Sequence, residues 1–483
     1  MQSRSSSKPT HEEDIEEEWP VVCPISQCLN SSTLTFTILG LIELETTITE
    51  CETLDYLNKV LIPACPLFSS IIVTDKEGVK RWKKVDVQAE NHLIIPTFPT
   101  GLEIESYDQL LREYVSKIGN ERFSREKPLW ECHLFKYPSA NGVGSFVFKL
   151  GHAIGDGYAY MKILSMIVKR AENPHLPLTY PNLSLRQRRN DQVGRMSNFL
   201  GSFVKCINTV SDIIYNTLKT TVMVDCPSAI RSGKWKKKEL FKPIDIYSIK
   251  LSLKRVREVK SKLGSTMNDV ITGIISYVIH LYMAKMGQNS TKAASSMTML
   301  VMLNMRVLKN NYKDIDDMMK SADTWGNHSR FFPVKIPSIA GGENINPLDF
   351  ITKAKEHMDR SKNSMIFYLL DPLLDGVRSI FGQKGMEQVV RLGFKNASTL
   401  ITSLVGPKEQ ISIADRPIGN FYFIVAGIPQ SLTFTSMSCM EQLQLVATME
   451  KGFIDSNLFA SCMDEAFENI FQAAFGNEAK KSA

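Results

Sequence analysis

Residues 151–157 read GHAIGDG and separate an apolar run at 144–150 (GSFVFKL) from a longer run at 158–172 (YAYMKILSMIVKRAE). The first run is short and follows a turn-forming Asn-Gly pair, so it predicts a buried strand. The second run has helical spacing and stops before Pro174, so it predicts a helix. A strand that leads through a glycine-containing turn into a helix is typical of layered sheets and helices. The predicted fold class is therefore α/β (α+β).

Length and composition exclude several classes of protein. The chain has 483 residues, of which 43% are apolar and 22% are charged, so it is neither fibrous nor mostly disordered. This length is enough for about two to four domains. The nine cysteines are scattered without a CxxC pair, which indicates neither a zinc site nor a disulfide framework. The first twenty residues lack an apolar core and do not resemble a secretory signal.

Charge is distributed unevenly along the chain. Residues 186–262 carry eighteen Lys or Arg and six Asp or Glu, a net charge of +12, whereas the whole chain has a net charge of +6. A basic segment in an otherwise acidic protein predicts an anionic partner. From charge alone, a membrane surface is as good a candidate as a polynucleotide.

Three apolar stretches are candidates for membrane spans. Residues 196–224 have apolar side chains near every third or fourth position, with charged residues between them. An amphipathic helix on a bilayer and a helix packed on the protein both fit this pattern. Residues 270–284 are uncharged but too few to span, which predicts a core helix. Residues 417–440 are also uncharged, but Pro429 and many Thr and Ser favour two strands joined at 428–430.

His152 is the residue of the 151–157 turn best suited to chemistry. A residue just past a strand end faces the cleft that lies there, and imidazole can take a proton near neutral pH. The glycines of this turn allow a sharp change of direction and a close approach of substrate to the backbone. Asp156 can hold the turn in shape or orient the ring.

His152 has other possible roles besides that of a general base. His152 and Asp156 could bind a metal, but the sequence places no third ligand nearby. A lone histidine is often a core residue satisfied by its neighbours. The nucleophile elbow of a Ser–His–Asp hydrolase and a glycine-rich phosphate loop are both absent from the sequence. The residues favour a lone general base that activates a hydroxyl or an amine, and leave the core histidine open.

Residues 150–157 (LGHAIGDG) resemble the H-H-x-x-x-D-G signature of the wax ester synthase/diacylglycerol acyltransferase family. That family belongs to the CoA-dependent acyltransferase superfamily, which shares H-x-x-x-D-G. Further stretches resemble the plant branch of the family in the same order: 66–70 (PLFSS), 128–133 (PLWECH), 267–270 (MNDV), 303–306 (LNMR), 325–327 (WGN) and 405–409 (VGPKE). Two positions depart from the family pattern. Gly151 replaces the first histidine of the doublet, and Ser403 stands where the family tends to carry Asn.

The resemblance implies two chloramphenicol-acetyltransferase-like halves, each a mixed sheet layered with helices, with an active-site tunnel at their interface. The expected organisation is a disordered acidic tail at 1–20, an N-terminal acyltransferase half at 21–185, a basic amphipathic linker at 186–245 that can contact a membrane, and a C-terminal acyltransferase half at 246–478. The halves are expected to bring acyl-CoA and a lipid alcohol to the tunnel from opposite sides.

The resemblance also implies a catalytic mechanism. His152 is the expected general base, and the reaction needs neither a metal nor a permanently bound cofactor, with acyl-CoA as co-substrate. The expected supporting residues are Asp156, Gly157, Asn268, Asp269 and Arg306. Of these, Arg306 is the expected partner of Asp156, and residues 266–269 fit a helix-start capping box equally well.

The implied function is long-chain acyl transfer to a fatty alcohol, giving a wax ester, and also to diacylglycerol, giving triacylglycerol. The expected partners are these lipids and a membrane surface, with no nucleic acid. The expected location is the cytosolic face of the endoplasmic reticulum membrane, and also the plasma membrane. Transfer to a non-lipid hydroxyl or amine, as in the plant BAHD acyltransferases, and a catalytically silent lipid-binding protein are the alternatives.

Overall fold

A computed structural model of the chain describes residues 19–181, 223–233, 242–288, 296–304, 325–337, 345–362 and 366–479. Within these ranges the strands form two mixed sheets and a separate hairpin, and helices cover the sheet faces. The predicted α/β class with two mixed sheets is confirmed. The structure does not describe residues 1–18, 182–222 and 234–241, which include most of the predicted tail and linker. Arg306 also lies outside the described residues.

The elements are numbered along the chain. The helices are α1 (Pro24–Cys28), α2 (Glu50–Tyr56), α3 (Ile104–Gly119), α4 (Gly157–Ile167), α5 (Leu253–Lys262), α6 (Met267–Lys285), α7 (Leu348–Lys362), α8 (Ile366–Asn396) and α9 (Ser456–Ala479). The strands are β1 (Thr37–Leu44), β2 (Ser70–Thr74), β3 (Lys80–Lys84), β4 (Leu93–Ile94), β5 (Trp130–Phe135), β6 (Gly144–Gly151), β7 (Val168–Arg170), β8 (Ile244–Ser252), β9 (Thr298–Asn304), β10 (Ser329–Lys335), β11 (Thr399–Val405), β12 (Ile411–Ile413), β13 (Arg416–Ala426), β14 (Leu432–Cys439) and β15 (Gln442–Glu450).

The two sheets share the C-terminal part of the chain. The first sheet has the order β4-β5-β6-β1-β13-β12-β7, and the second has the order β10-β9-β11-β14-β15-β8. Strands β12 and β13 follow β11 of the second sheet in sequence but complete the first sheet, so the first sheet is not built from residues 21–185 alone. The domain boundaries expected from the sequence stay a prediction.

Strand β1 lies in the middle of the first sheet and is buried on both faces. Leu39 and Leu41 pack in a cluster with residues of α3, whereas Ile38 and Ile42 point to the opposite face and join the larger core. A strand covered on both faces needs a nearly continuous apolar run rather than an alternating one. The β1 sequence TILGLIEL meets this requirement.

The apolar stretches examined as membrane spans take the predicted forms where they are described. Residues 270–284 lie within α6 and are mostly buried. Residues 417–440 form most of β13 and β14, which are joined through 427–431. None of the helices in the described part of the chain has both the length and the apolar character that crossing a bilayer requires.

The helix predicted at 158–172 is wrong at its C-terminal end. Helix α4 ends at Ile167, and the next three residues form β7, which pairs with β12. The spacing of apolar side chains continues past Ile167, but the backbone of β7 bonds to a strand about 240 positions away along the chain. Local periodicity carries no information about such a partner.

Residues 223–233, one of the two described parts of the predicted linker, pack against the second sheet. The buried Asp225 carboxylate accepts hydrogen bonds from the Thr298 backbone N–H at 2.7 Å and from the Ser398 hydroxyl at 2.7 Å. The Arg231 guanidinium donates to the carbonyls of Lys395 and Ala397. The chain is therefore anchored to the second sheet before β8 begins.

The contact between α6 and α7 gives a test of the core. A Cβ at Gly273 would lie 2.7 Å from the Ile351 Cα, whereas a Cβ at Gly376 of α8 would meet no atom within 4 Å. We expect Gly273→Ala to lower the free energy of unfolding by about 1–3 kcal/mol, because backbone atoms must move apart. We expect Gly376→Ala to raise it by about 0.5–1 kcal/mol, because alanine favours the helix. Urea unfolding of both variants checks the prediction, and equal effects would contradict it.

Candidate active site

His152 is held just beyond the end of a central strand. Thr37 of β1 pairs with both Gly151 of β6 and Ala426 of β13, so three neighbouring strands end at one edge of the first sheet. The His152 backbone N–H donates to the Phe36 carbonyl at 3.0 Å. The strand register therefore fixes where the histidine backbone lies before its side chain makes any contact.

Asp156 converts the turn into a helix start. It is the N-cap of α4, and its Oδ1 accepts from the Ala159 backbone N–H at 3.2 Å. A carboxylate at this place satisfies a free helix N–H and interacts favourably with the helix dipole. The sequence suggested that Asp156 holds the turn in shape, and in the structure its side chain caps the helix that follows the turn.

The three glycines of the turn act through their small size. None of them has a positive φ. A Cβ would lie 2.8 Å from the Leu129 Cβ at Gly151, 2.4 Å from the Ala159 Cβ at Gly155 and 2.5 Å from Leu404 Cδ2 at Gly157. Leu129 therefore takes the space beside Gly151, where the family signature has its first histidine.

A segment of the second half completes the turn. The Gly326 N–H donates to the Ile154 carbonyl, and the Asp156 N–H donates to the Gly326 carbonyl, both at 3.3 Å. The Asp156 Oδ2 also accepts from the His328 backbone N–H at 2.9 Å and from the Ser329 hydroxyl at 3.0 Å. Asp156 is fully buried. One carboxylate therefore caps α4 and binds the start of β10.

The imidazole of His152 is buried and favours its neutral form. The residue is 6% exposed, and its ring lies edge-on to Phe36 at 6.0 Å between centroids. Burial lowers its pKa below the usual value of 6.5, against the opposing effects of its own carbonyl, the Asp156 charge and the Asn327 side chain. A neutral imidazole can accept a proton at physiological pH.

His152 faces an apolar cavity that is partly open, and its empty space, including the part open to solvent, is about 920 Å³. The walls come from β1, β6 and α4 on one side and from β9, β10 and β11 on the other, with β13 crossing between the two parts of the chain. Among the described residues that line it, only His152, Tyr160 and Thr402 have polar side chains. The Tyr160 hydroxyl donates to the Gly151 carbonyl at 2.7 Å, and burial raises its pKa well above the usual range. Histidine is thus the one lining group among these residues suited to take a proton near pH 7.

The other predicted site residues do not all line this cavity. Gly157 lines it. Asn268 is exposed and Asp269 is buried at the start of α6, and neither is a lining residue. The Asp269 carboxylate accepts from the Thr266 N–H at 2.7 Å, and the Thr266 hydroxyl accepts from the Asp269 N–H, so the capping box is present. Because Arg306 lies outside the described residues, its pairing with Asp156 stays a prediction.

Two site residues were missed by sequence reasoning. Ser329 binds the Asp156 carboxylate, and the Asn327 side chain donates to the His152 carbonyl at 2.7 Å. The stretch WGN at 325–327 was noted only for its family resemblance. No spacing rule links these residues to a turn about 170 positions earlier, so the one available signal was the resemblance itself.

Several other motif residues have structural partners. The indole N–H of Trp130 donates to the Phe68 carbonyl at 2.9 Å, which joins two of the quoted stretches. The Ser403 hydroxyl lies 2.8 Å from the Ser436 hydroxyl on the neighbouring parallel strand. Across the described part of the chain, no group of three His, Cys, Asp or Glu side chains is arranged to hold a metal ion.

The described structure thus has a buried histidine on a strand-to-helix turn, which faces an apolar cavity between two mixed sheets. The model for the wax ester synthase/diacylglycerol acyltransferase catalytic domain matches residues 105–271, and the model for the C-terminal domain of the same family matches 325–471. The chain belongs to this acyltransferase family.

Individual relatives are similar over almost the whole chain. Wax ester synthase/diacylglycerol acyltransferase 6 of Arabidopsis thaliana is 25% identical and covers 94% of this chain and 92% of its own. The structure of the wax ester synthase/diacylglycerol acyltransferase from Marinobacter aquaeolei VT8 has a TM-score of 0.59 at 14% identity, covering 94% and 99%. The starter condensation domain of rhizomide synthetase, in complex with C8-CoA and Leu-SNAC, has a TM-score of 0.52 at 10% identity, covering 94% of each chain. The two solved structures share the fold.

The contacts of Asp156 give a stability test. We expect Asp156→Asn to lower the free energy of unfolding by about 1–3 kcal/mol, because an amide cannot accept from all of the Ala159, His328 and Ser329 donors. The matched control is Asp86→Asn at an exposed carboxylate. Urea unfolding of both variants measures the effect. Equal midpoints for the two variants would show that the contacts of Asp156 do not stabilise the fold.

Proposed function

We propose that this chain is a long-chain acyl-CoA-dependent O-acyltransferase that esterifies a fatty alcohol to a wax ester, with diacylglycerol as a second acceptor. The observation that carries the proposal is a buried histidine in the wall of a cavity that is otherwise almost wholly apolar, where burial lowers the pKa of the imidazole. Membership of the family supports acyl transfer, and the cavity supports a substrate with a long hydrocarbon chain.

In the proposed reaction, His152 takes the proton of the acceptor hydroxyl through Nε2. The oxygen attacks the thioester carbonyl, and the tetrahedral intermediate collapses with cleavage of the carbon–sulfur bond. The imidazolium returns the proton to the departing thiolate, so the products are the ester and coenzyme A. The apolar walls keep out water, which would compete as a nucleophile. No acyl-enzyme forms.

The cavity dimensions are suited to one extended chain. Phe36, Ile38, Gly40 and Ile42 line it from one face of the same extended segment. The six steps along the backbone from Phe36 to Ile42 span about 20 Å. Each methylene that leaves water contributes about 0.8 kcal/mol. Burial of a long chain therefore supplies much of the binding free energy without any charged contact.

The proposed roles of Asp156 and Gly157 follow from the contacts already described. Asp156 and Gly157 hold the turn that carries the base, and Arg306 is the proposed further partner of Asp156. Asn268 and Asp269 act on the site indirectly through the start of α6. Acyl-CoA is a co-substrate rather than a resident cofactor.

We also propose a membrane location, with the protein on the cytosolic face of the endoplasmic reticulum and also at the plasma membrane. The net charge of +12 at 186–262 supports docking on an anionic leaflet. Lipid acceptors dissolve in such a leaflet, so docking would bring enzyme and acceptor together. No nucleic-acid partner is proposed.

Removal of the base tests the function. We expect His152→Ala to reduce turnover by about 10²–10⁴, the usual effect of losing a positioned proton acceptor. The control is His175→Ala at an exposed histidine, which should keep full turnover. The assay supplies palmitoyl-CoA with hexadecanol, diacylglycerol or a phenolic alcohol. Transfer to the phenol alone would indicate a non-lipid acceptor, and no transfer by the unaltered protein would indicate a lipid-binding role.

Gly40 gives a test of chain-length selection. A Cβ there would meet only Phe421 Cε2, at 4.0 Å, so a larger side chain can enter the cavity. We expect Gly40→Leu to reduce kcat/KM at least tenfold for sixteen-carbon substrates and to leave eight-carbon substrates nearly unchanged, because the added side chain takes up space that only the longer chain needs. A tenfold reduction corresponds to a loss of about 1.4 kcal/mol of binding free energy.

Separate length series of acyl-CoA and of alcohol identify the chain that occupies the cavity. The matched control is Gly376→Leu, which adds the same side chain where no atom lies within 4 Å of the new Cβ. An unchanged length preference in both series would contradict the proposed use of the cavity.

A further inference from the structure

We propose that three exposed apolar side chains of α8, which are Leu373, Ile380 and Phe381, form the surface by which this protein inserts into a lipid bilayer. They are called the α8 patch below. The patch has catalytic meaning only under the proposed function, in which the substrates are membrane lipids. Binding to vesicles can be measured without any substrate, so the two proposals can fail separately.

The α8 patch contains the most exposed large apolar side chains in the described ranges. Ile380 is 76% exposed and Phe381 is 68% exposed, whereas no other large apolar side chain in those ranges exceeds 53%. Leu373 is 46% exposed. Single exposed apolar residues are common on protein surfaces, but several together mark a surface that contacts a partner or a membrane.

The sequence of this part of α8 is amphipathic. Apolar side chains share one face of the helix, at positions 373, 374, 377, 380 and 381. Asp375 and Arg378 lie on the opposite face. A helix of this kind normally buries its apolar face against the rest of the protein. Here every residue of 370–382 is at least partly exposed, so the described part of the chain leaves the apolar face incompletely covered.

A kink in α8 fixes how these side chains are presented. Gly382 has φ 67° and ψ −176°, a backbone conformation essentially restricted to glycine. The next residue, Gln383, donates from Nε2 to the Pro24 carbonyl of α1 at 2.9 Å. Met386, one turn later, is buried. The helix therefore changes direction just after Phe381, and its apolar side chains become fully buried only beyond the kink.

The helix that carries the patch also supports the proposed substrate cavity. Phe394 packs edge-on against Phe36 and Phe331, with 4.9 Å between ring centroids in each pair, and these two partners line the cavity. Before the kink, the Asp371 carboxylate lies 2.7 Å from the Arg330 side chain of β10. A membrane bound at the patch would therefore contact the same helix that supports the cavity walls.

The size and charge of the patch favour a bilayer over a second copy of the chain. At about 200 Å² for a large side chain, the three residues expose at most about 400 Å². A stable dimer needs about 800 Å² from each partner. Beside the patch, Arg378 lies 3.8 Å from Asp375, and Lys384 is exposed just beyond the kink. A lysine at this place can reach lipid phosphates while the apolar side chains enter the acyl region.

Vesicle binding by the full-length protein tests the inference. We expect Phe381→Asp to weaken partitioning onto phosphatidylcholine vesicles at least tenfold, because a charged side chain would have to leave water. The measurement is flotation in 1 M NaCl, where a Debye length of about 3 Å suppresses attraction by the basic segment at 186–262. The matched control is Val143→Asp, at a 41% exposed position at the end of β6 far from His152. It should bind like the unaltered protein.

A fluorescent variant locates the contact. Phe381→Trp places an indole in the α8 patch. Its emission should move to shorter wavelength when vesicles are added, and lipids brominated in their acyl chains should quench it. The unaltered protein gives the background from its five tryptophans. Val143→Trp is the control and should show neither change.

Activity measurements separate docking from chemistry. We expect Phe381→Asp to reduce turnover of hexadecanol dissolved in vesicles about tenfold, because less enzyme reaches the surface that holds the acceptor. Transfer from octanoyl-CoA to octanol in solution should keep its normal rate, because the turn that carries His152 is unaltered.

Three outcomes would overturn the inference. One is that the unaltered protein fails to bind phosphatidylcholine vesicles in 1 M NaCl. Another is that Phe381→Asp binds them normally and the indole of Phe381→Trp escapes quenching. The third is that Phe381→Asp converts a dimer to a monomer without changing vesicle binding, which would assign the patch to a second copy. If the unaltered protein binds vesicles through the patch but transfers no acyl group, the proposed function fails while the docking surface stands.

Discussion

The hydrogen bonds of the Asp156 carboxylate are the constraint on which the site depends. A carboxylate buried without partners would be too costly to maintain. Here its oxygens are satisfied partly by the first turn of α4 and partly by residues that begin β10. The same group therefore starts a helix and joins two sheets. The turn that carries His152 is therefore held by hydrogen bonds from both halves of the chain.

A second contact of this kind lies at the far end of the first sheet. Glu43 is 4% exposed and accepts from Ser139, Asn141 and Asn420. Asn420 belongs to β13, which the C-terminal part of the chain contributes to the first sheet. The two halves are thus bound by buried polar contacts at both ends of the strands, and the apolar cavity lies between. This arrangement keeps the cavity walls in register along their length.

The cavity and the base place a joint demand on the structure. The apolar walls that we propose bind a hydrocarbon chain also remove water from the imidazole, and this loss of solvation lowers the pKa of His152. A lower pKa keeps the ring neutral, which is the form a general base needs. The proposed binding of a hydrocarbon chain and the proposed role of His152 as a base therefore both depend on the same apolar surroundings.

The sequence by itself determined the features that depend on near neighbours. The strand–turn–helix around His152, the capping box of α6 and the two strands within 417–440 all follow from local spacing and from residues a few positions apart. It also predicted the family, because several short motifs occur in a fixed order. The sequence-based prediction of the helix was wrong beyond Ile167, where α4 ends and a strand begins whose pairing partner is distant along the chain.

Only the tertiary structure decided which residues lie beside the turn that carries His152. Asn327 and Ser329 reach it through a sheet assembled from separated strands, and the need for small residues at Gly151 and Gly155 comes from side chains pressed against them. The physical reason is the separation along the chain over which each kind of interaction acts. Helix caps and apolar periodicity act over a few residues of chain, whereas hydrogen bonds between sheets join residues whose separation along the sequence carries no signal.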